Sequence, residues 1–268
     1  MKPFQQVIAF LTVTHKALTE KNPPYSELIT NYEEYHKNTH ISQMSSTRLK
    51  LISEWIKPKS SILDVGCGET FTMEFLRNNK QCKVNGIDIS SKCVANARDK
   101  GFECVQRDIE KEGLGLAPHK KYDHILFIEV LEHLKYPHKV LVDACKHVKK
   151  GVIATIPNTG YLYWRLQALR GFFPRQSFTH LHFWSINDFQ LFLKQLNLKP
   201  LDHKTDLPTR GINSILTQPF KNLLAYQQCW LIAPKNTDAT LNPKQVLSNK
   251  HTSILNHKKR GTNSIRVA

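Results

Sequence analysis

Residues 61–76 read SILDVGCGETFTMEFL. A short apolar run containing Asp64 leads into two glycines, Gly66 and Gly68, and a helical pattern follows them. Glycine permits positive φ and lets the backbone approach a ligand closely, so the stretch predicts a strand, a ligand-binding loop and a helix. The dinucleotide pattern GxGxxG is incomplete, since its last position is Phe71, and no GxxxxGK[ST] phosphate loop is present.

Strand and helix patterns alternate on both sides of this loop. The strand-like runs are SILDVG, KVNGIDI, ECVQRDI, YDHILFIEV and GVIATIP, and KPLDHKTD and AYQQCWLIAP predict a final strand pair. The helical runs are SSTRLKLISEWI, TMEFLRNN, KCVANARDK, PHKVLVDACKHV and INDFQLFLKQLNL. Apolar strands alternating with helices predict an α/β fold, with a mostly parallel sheet and helices on both faces.

Three acids at predicted strand ends indicate the chemistry of the ligand. Asp88 ends the second strand, 24 residues after Asp64, and can accept hydrogen bonds from a ribose diol. Asp108 ends the third strand and can accept from an adenine amino group. A carboxylate at the loop mouth would repel a diphosphate and attract a ligand with an ammonium and a sulfonium group. S-adenosylmethionine (SAM) is such a ligand.

These residues resemble the class I SAM-dependent methyltransferases. The family pattern acid-x-Gly-x-Gly-x-Gly is matched from Asp64 to Gly68, with Thr70 at the third glycine, and the fourth-strand motif is matched by DHILFIEVLEHL, residues 123–134. The resemblance implies a Rossmann-like class I methyltransferase fold with a seven-stranded sheet and an antiparallel last strand. It also implies these cofactor-binding residues: Asp64, Gly66, Cys67, Gly68, Asp88, Ile89, Asp108, Ile109 and Glu129.

Thr70 departs from the family pattern. We expect it to act as the helix N-cap, satisfying a free backbone N–H, so that SAM binding survives. The implied reaction is methyl transfer to an oxygen, nitrogen or carbon atom of a small-molecule acceptor.

His133 is the candidate catalytic base, because it follows the fourth strand near the expected sulfonium position. The alternative is a structural histidine that caps or orients the loop. An insert over about residues 158–184 predicts a lid over the acceptor, with these substrate-binding candidates: Tyr161, Trp164, Arg165, His180 and His182. The alternative is an amphipathic helix over 161–169 that packs on the sheet, with its arginines facing water.

The stretches PNTGYLYWRLQALRGFFP and HLHFWSINDFQLFLKQLNL are similar to MetW-like methyltransferase-fold proteins. These proteins are associated with methionine biosynthesis and act beside an acyltransferase. The resemblance therefore leaves open a second hypothesis, a non-catalytic SAM-binding regulatory partner.

The net charge of +16 suits an anionic partner, or serves solubility alone, and it motivates a third hypothesis, an RNA or protein methyltransferase. The residues after Pro234 contribute +6 of this charge, and the rest lies in the body. The motif NPPY, residues 22–25, is found in amino-methyltransferases after the fourth strand, but here it precedes the first and predicts a turn. Tyr32 and Tyr35 are candidates to close over SAM.

The six cysteines include no CxxC pair and no zinc spacing, so the sequence predicts no metal and a reduced, cytoplasmic protein. The run VIAFLTV has seven residues, too few to cross a bilayer, and no transmembrane segment is predicted. The predicted organisation is a helical lead-in over 1–57, a SAM-binding domain over 58–234 and a basic disordered tail over 235–268.

Overall fold

The structure, a computed structural model, describes residues 11–12, 14–19, 46–174, 176–207, 215 and 217–235. The chain divides into two units, Met1–Lys235 and Asn236–Ala268, and the second lies outside the described residues. The NPPY motif, Tyr32 and Tyr35 also lie outside them. Within the described ranges, no helix combines the length and the apolar character needed to cross a membrane.

The described chain forms a seven-stranded sheet of order β3-β2-β1-β4-β5-β7-β6. Strands β1 to β5 pair in parallel, and β7 lies between β5 and β6, antiparallel to both. This confirms the predicted sheet and its antiparallel last strand. The bounds are β1 Ser61–Val65, β2 Lys83–Asp88, β3 Glu103–Gln106, β4 Tyr122–Ile128, β5 Val148–Pro157, β6 Leu198–Thr205 and β7 Gln227–Pro234.

Helices connect the strands, as the alternating pattern predicts. Their bounds are α1 Ser46–Ser53, α2 Phe71–Lys80, α3 Ser91–Asp99, α4 Ile109–Glu112, α5 Pro137–Lys146, α6 Leu162–Leu169, α7 Ile186–Gln195 and α8 Lys221–Leu224. Local sequence explains where several begin. Proline stands at the first turn of α5, where no N–H partner is needed. Ser185 and Asp188 form a capping box at the start of α7.

The main core lies where the central strands meet helices α5 and α7. Phe127 of β4, Phe189 of α7 and Trp230 of β7 are fully or almost fully buried in it. Burying such side chains contributes about 1.5–3 kcal/mol each. The strands are held rigidly, so the loops at their carboxyl ends occupy fixed positions.

Candidate active site

A cavity of about 590 Å³ lies at the carboxyl ends of β1, β2 and β4. This is where open α/β sheets bind ligands, and the volume suits a small molecule. The cavity is lined by every residue that the sequence predicts to bind the cofactor, and also by His133 and His180. Candidate residues as far apart in the sequence as Asp64 and His180 are thus brought together at one edge of the sheet.

The glycine loop approaches its neighbours closely. Gly66 has φ +73°, and a Cβ placed there would lie 2.6 Å from Cγ2 of Val130. Its N–H donates to the carbonyl of Ile87 at 2.7 Å. A glycine is therefore required at this position by both conformation and space.

Asp88 ties the loop to the end of β2. Its carboxylate accepts from the N–H of Gly68 at 2.8 Å and from the N–H of Ser90 at 2.9 Å. A carboxylate oxygen can accept more than one hydrogen bond. Asp88 both shapes the loop and faces the cavity.

Asp64 is buried beside Asp88, with a side chain 2% exposed and an Oδ2 atom that has no hydrogen-bond partner. Burial, with a further contribution from the charge of Asp88, raises the pKa of Asp64 to about 7. A buried carboxylate without a partner is costly. Oδ2 of Asp64 is therefore a buried acceptor that receives no hydrogen bond from the described residues.

The third strand end presents one acid and apolar side chains. Asp108 caps α4, accepting from the N–H groups of Glu110 and Lys111. The hydrogen bond from the Lys111 side chain lowers the pKa of Asp108. Ile89 and Ile109 line the same part of the cavity, and Ile89 is 43% exposed. This part of the wall suits a flat apolar group.

Thr70 stands at the N-cap of α2, but its side chain makes no capping hydrogen bond. The predicted capping role is therefore wrong. Thr70 has φ +69°, so its backbone already has the left-handed conformation of the glycine it replaces. Its Oγ1 instead lies 2.6 Å from Oε1 of Glu74 and 2.8 Å from Nζ of Lys100.

The end of β4 carries an ion pair that the sequence patterns did not reveal. Glu129 has φ +57° and pairs with Arg48 of α1 at 3.1 Å, with side chains 24% and 12% exposed respectively. Thr155 donates to the same carboxylate at 3.1 Å, and Arg48 donates to Gln227 at 3.2 Å. Arg48 belongs to no sequence motif, and the sequence predicted only that it lies on a helix.

Glu132, His133 and His180 form a cluster whose side-chain ligand atoms all lie within 4.8 Å of one another. The His133 and His180 rings pack edge to face with centroids 4.6 Å apart. Nδ1 of His133 lies 3.2 Å from the carbonyl of Thr179, and burial lowers the pKa of His133 to about 4. Such an imidazole is neutral at pH 7 and accepts a proton weakly, so the general-base role stays a prediction.

Glu132 is the acid of this cluster, and it is only 1% exposed. Neither carboxylate oxygen has a hydrogen-bond partner. Burial, and then the charge of Glu129, raises the pKa of Glu132 well above its ordinary value. Its backbone carbonyl accepts from the N–H groups of Leu181 and His182, which fastens the insert to the end of β4.

The insert reaches the cavity through Gln176, Ser177 and His180. The other substrate-binding candidates do not line it. Trp164 is buried in a small cluster with Tyr163 and Ala17. The roles predicted for these candidates stay predictions.

Each of the three remaining candidates contacts another residue of the chain. Tyr161 packs edge to face on Tyr226, with centroids 5.6 Å apart. Arg165 is exposed, and its Nε donates to the carbonyl of Gly160 at 2.7 Å. His182 stacks on Trp184 with centroids 4.9 Å apart.

The sheet order and the position of the cavity define a class I methyltransferase fold. The PH0226 protein from Pyrococcus horikoshii OT3 has a TM-score of 0.54 at 19% identity, covering 76% of this chain and 100% of that chain. A SAM-dependent methyltransferase from Mesorhizobium loti has a TM-score of 0.51 at 13% identity, covering 70% and 98%. The plantazolicin methyltransferase BpumL, in complex with a pentazolic desmethylPZN analog and SAH, has 0.51 at 16%, covering 86% and 99%.

The family model described as methionine biosynthesis protein MetW matches residues 47–232. The chain belongs to the MetW family, which confirms both resemblances seen in the sequence. No curated protein matches the chain.

Proposed function

We propose that the chain binds SAM in this cavity and transfers its methyl group to a small-molecule acceptor. The observation that carries the proposal is Asp64, an acid that lines the cavity and whose buried Oδ2 has no hydrogen-bond partner. The ammonium group of SAM supplies the positive donor that this oxygen lacks. A phosphate ligand would place like charge beside Asp64 and Asp88.

The remaining wall fits the other parts of SAM. Asp88 lines the cavity at the end of β2, where its carboxylate would accept hydrogen bonds from the ribose hydroxyls. Ile89 and Ile109 offer apolar surface for the adenine ring, and Asp108 lies beside them for its amino group. Gly66 and Gly68 let the backbone approach the methionine part without a Cβ in the way.

Methyl transfer needs alignment above all. A lone pair of the acceptor atom forms the bond to the methyl carbon while the C–S electron pair stays on sulfur, which becomes neutral. An acceptor proton, where there is one, leaves to a base or to solvent. The acceptor enters from the β4 side, where His133, His180 and Gln176 line the cavity.

Calorimetry on the full chain tests donor binding. We expect SAM and S-adenosylhomocysteine to bind with one-to-one stoichiometry, and NAD or ADP not to bind. Asp88→Ala removes the ribose acceptor and the two backbone contacts of the loop. Because hydrogen bonds to charged groups contribute about 1.5–3 kcal/mol each, we expect affinity for SAM to fall about 100-fold or more.

Asp99→Ala is the matched control, since Asp99 is exposed at the end of α3 and does not line the cavity. It should bind SAM like the unaltered chain. Preferential binding of a pyrophosphate ligand, or equal affinity in Asp88→Ala, would contradict the proposal.

Membership of the MetW family favours a second candidate, a SAM-binding partner that regulates another enzyme without turnover. Mass spectrometry of a metabolite extract incubated with the chain and methyl-labelled SAM separates the two. Label in a small molecule supports the transferase. SAM binding with no transfer to any extract component, together with a stable complex with an acyltransferase, supports the regulatory partner.

A further inference from the structure

We propose that Glu132, His133 and His180 form a binding site for one divalent first-row metal ion at the acceptor side of the cavity. The three residues offer two imidazole nitrogens and one carboxylate, and these ligand atoms already lie within 4.8 Å of one another. This ligand set is typical of zinc and of non-haem iron sites in proteins.

Glu132 provides the observation that favours a bound cation. Its carboxylate is almost fully enclosed, and neither oxygen has a hydrogen-bond partner. A second acid, Glu129, stands three residues earlier and adds negative charge, while Arg48 is already paired with Glu129. Native proteins rarely bury both oxygens of an acid without a donor. An ion at the cluster would compensate this carboxylate.

The histidine geometry supports the same reading. A carbonyl can only accept, so the contact of His133 Nδ1 with the Thr179 carbonyl means that Nδ1 carries the proton. The lone pair then lies on Nε2, the tautomer found when a metal-binding histidine donates its other nitrogen to a carbonyl. His180 is held beside it by the edge-to-face ring contact.

The cluster is joined by the fold rather than by a sequence motif. Glu132 and His133 lie in the turn after β4, while His180 comes from the insert. The insert is fastened at this point by hydrogen bonds from Leu181 and His182 to the Glu132 carbonyl. The zinc spacings sought in the sequence therefore could not reveal it.

The metal site indicates the chemical class of the methyl acceptor, in a step that rests on the proposed function. Three protein ligands leave at least one coordination position open, and His133 and His180 both line the cavity. A hydroxyl or carboxylate oxygen of the acceptor fits that position. A bound hydroxyl would lose its proton to solvent more easily, and its oxygen would then bond to the methyl carbon while the C–S pair stays on sulfur.

Metal binding is tested on the full chain after removal of metal with a chelator. We expect Zn²⁺ to bind one-to-one by calorimetry, and Co²⁺ to develop visible absorption bands at the same stoichiometry. Glu132→Gln and His180→Asn should each weaken Zn²⁺ binding by at least about 10-fold. His119→Ala, which removes an exposed histidine outside the cavity, should leave it unchanged.

Two readouts keep the test decisive. Zn²⁺ should raise the Tm of the unaltered chain and not that of Glu132→Gln, since a ligand stabilises only the state that binds it. Acetohydroxamate, a small ligand with two oxygen donors, should shift the Co²⁺ bands if a position is open. Equal Zn²⁺ binding in Glu132→Gln and the unaltered chain, or no saturable binding, overturns the site. Unshifted bands overturn the acceptor role.

Failure of this proposal is distinguishable from failure of the proposed function. Metal affinity is measured without SAM, and SAM affinity is measured with the metal removed. Binding of Zn²⁺ without binding of SAM supports the metal site and contradicts the methyltransferase proposal. Binding of SAM without binding of Zn²⁺ supports the methyltransferase proposal and contradicts the metal site.

Discussion

The two sides of the cavity are built in different ways. On the donor side, Asp64 lies in β1, Asp88 ends β2 and Asp108 follows β3 by two residues, so the strand ends place all three acids. On the acceptor side, Glu132 meets His180 from the insert, and at the border between the two sides the cofactor-binding candidate Glu129 meets Arg48 from α1. The donor side is local in sequence, and the acceptor side is assembled from distant segments.

This difference separates a common task from a particular one. A donor shared by many enzymes can be held by the same strand ends, because the sheet fixes their positions. The acceptor differs between enzymes, so its side is made by segments that can vary without altering the sheet. A buried carboxyl oxygen without a hydrogen-bond partner occurs on both sides, at Asp64 and at Glu132.

The largest expected effect concerns the donor side, at Asp64. Burial raises its pKa to about 7 from an ordinary value of 3.8. The folded state thus favours the protonated acid, so its contribution to stability is full below pH about 4 and is lost as pH rises to about 7. Asp64→Asn should stabilise the SAM-free chain at pH 8 by on the order of 4 kcal/mol and flatten the pH dependence.

Urea unfolding at pH 5 and pH 8 measures this effect. At pH 8, Asp64→Asn should also bind SAM more weakly, because the charged partner of the ammonium group is gone. For the unaltered chain, SAM affinity should rise between pH 6 and 8, with proton release on binding. A variant that loses stability at pH 8 would show that Asp64 is satisfied in the folded chain.

The sequence predicted more of the donor side of the cavity than of the acceptor side. The mostly parallel sheet, and the set of cofactor-binding candidates that line one cavity, could be predicted, because apolar strands and the acids at their ends are recognised from adjacent residues. The place of Arg48 and the cluster of Glu132, His133 and His180 could not be predicted, since each depends on which distant segments the fold brings together. The sequence left two alternatives for Trp164, because an aromatic residue in an insert fits a lid and a packed helix equally well, and in the structure it packs with Ala17.

A smaller effect is expected on the acceptor side, at Arg48. Arg48→Met leaves Glu129 without its cation, next to Glu132. Because the pair is largely enclosed, we expect the free energy of unfolding to fall by about 2 kcal/mol at pH 7. Lys50→Met on the same helix is the control, since Lys50 is exposed. SAM affinity should change much less than stability.

Chemical denaturation of both variants at pH 7 gives the comparison. If Arg48→Met lowers SAM affinity as strongly as Asp88→Ala does, the ion pair belongs to the donor side and the division between the two sides fails. If it matches Lys50→Met in stability, the ion pair with Glu129 contributes nothing measurable.

The smallest effect is expected at Thr70, where the donor side departs from the family pattern. The left-handed conformation costs a residue with a Cβ about 1–2 kcal/mol, and glycine avoids that cost. Glycine also gains freedom in the unfolded chain, which offsets part of the benefit. Thr70→Gly also loses the Oγ1 contacts with Glu74 and Lys100, whereas Thr70→Ala loses those contacts and keeps the strain.

Comparing the two variants therefore isolates the backbone, and we expect Thr70→Gly to be more stable than Thr70→Ala by up to about 1 kcal/mol in urea unfolding. SAM affinity by calorimetry should stay within about 3-fold in both, because the loop already has the conformation of glycine. An Ala variant as stable as the Gly variant would show that Thr70 carries no strain, and a large loss of affinity in Thr70→Gly would show that its side chain shapes the donor site.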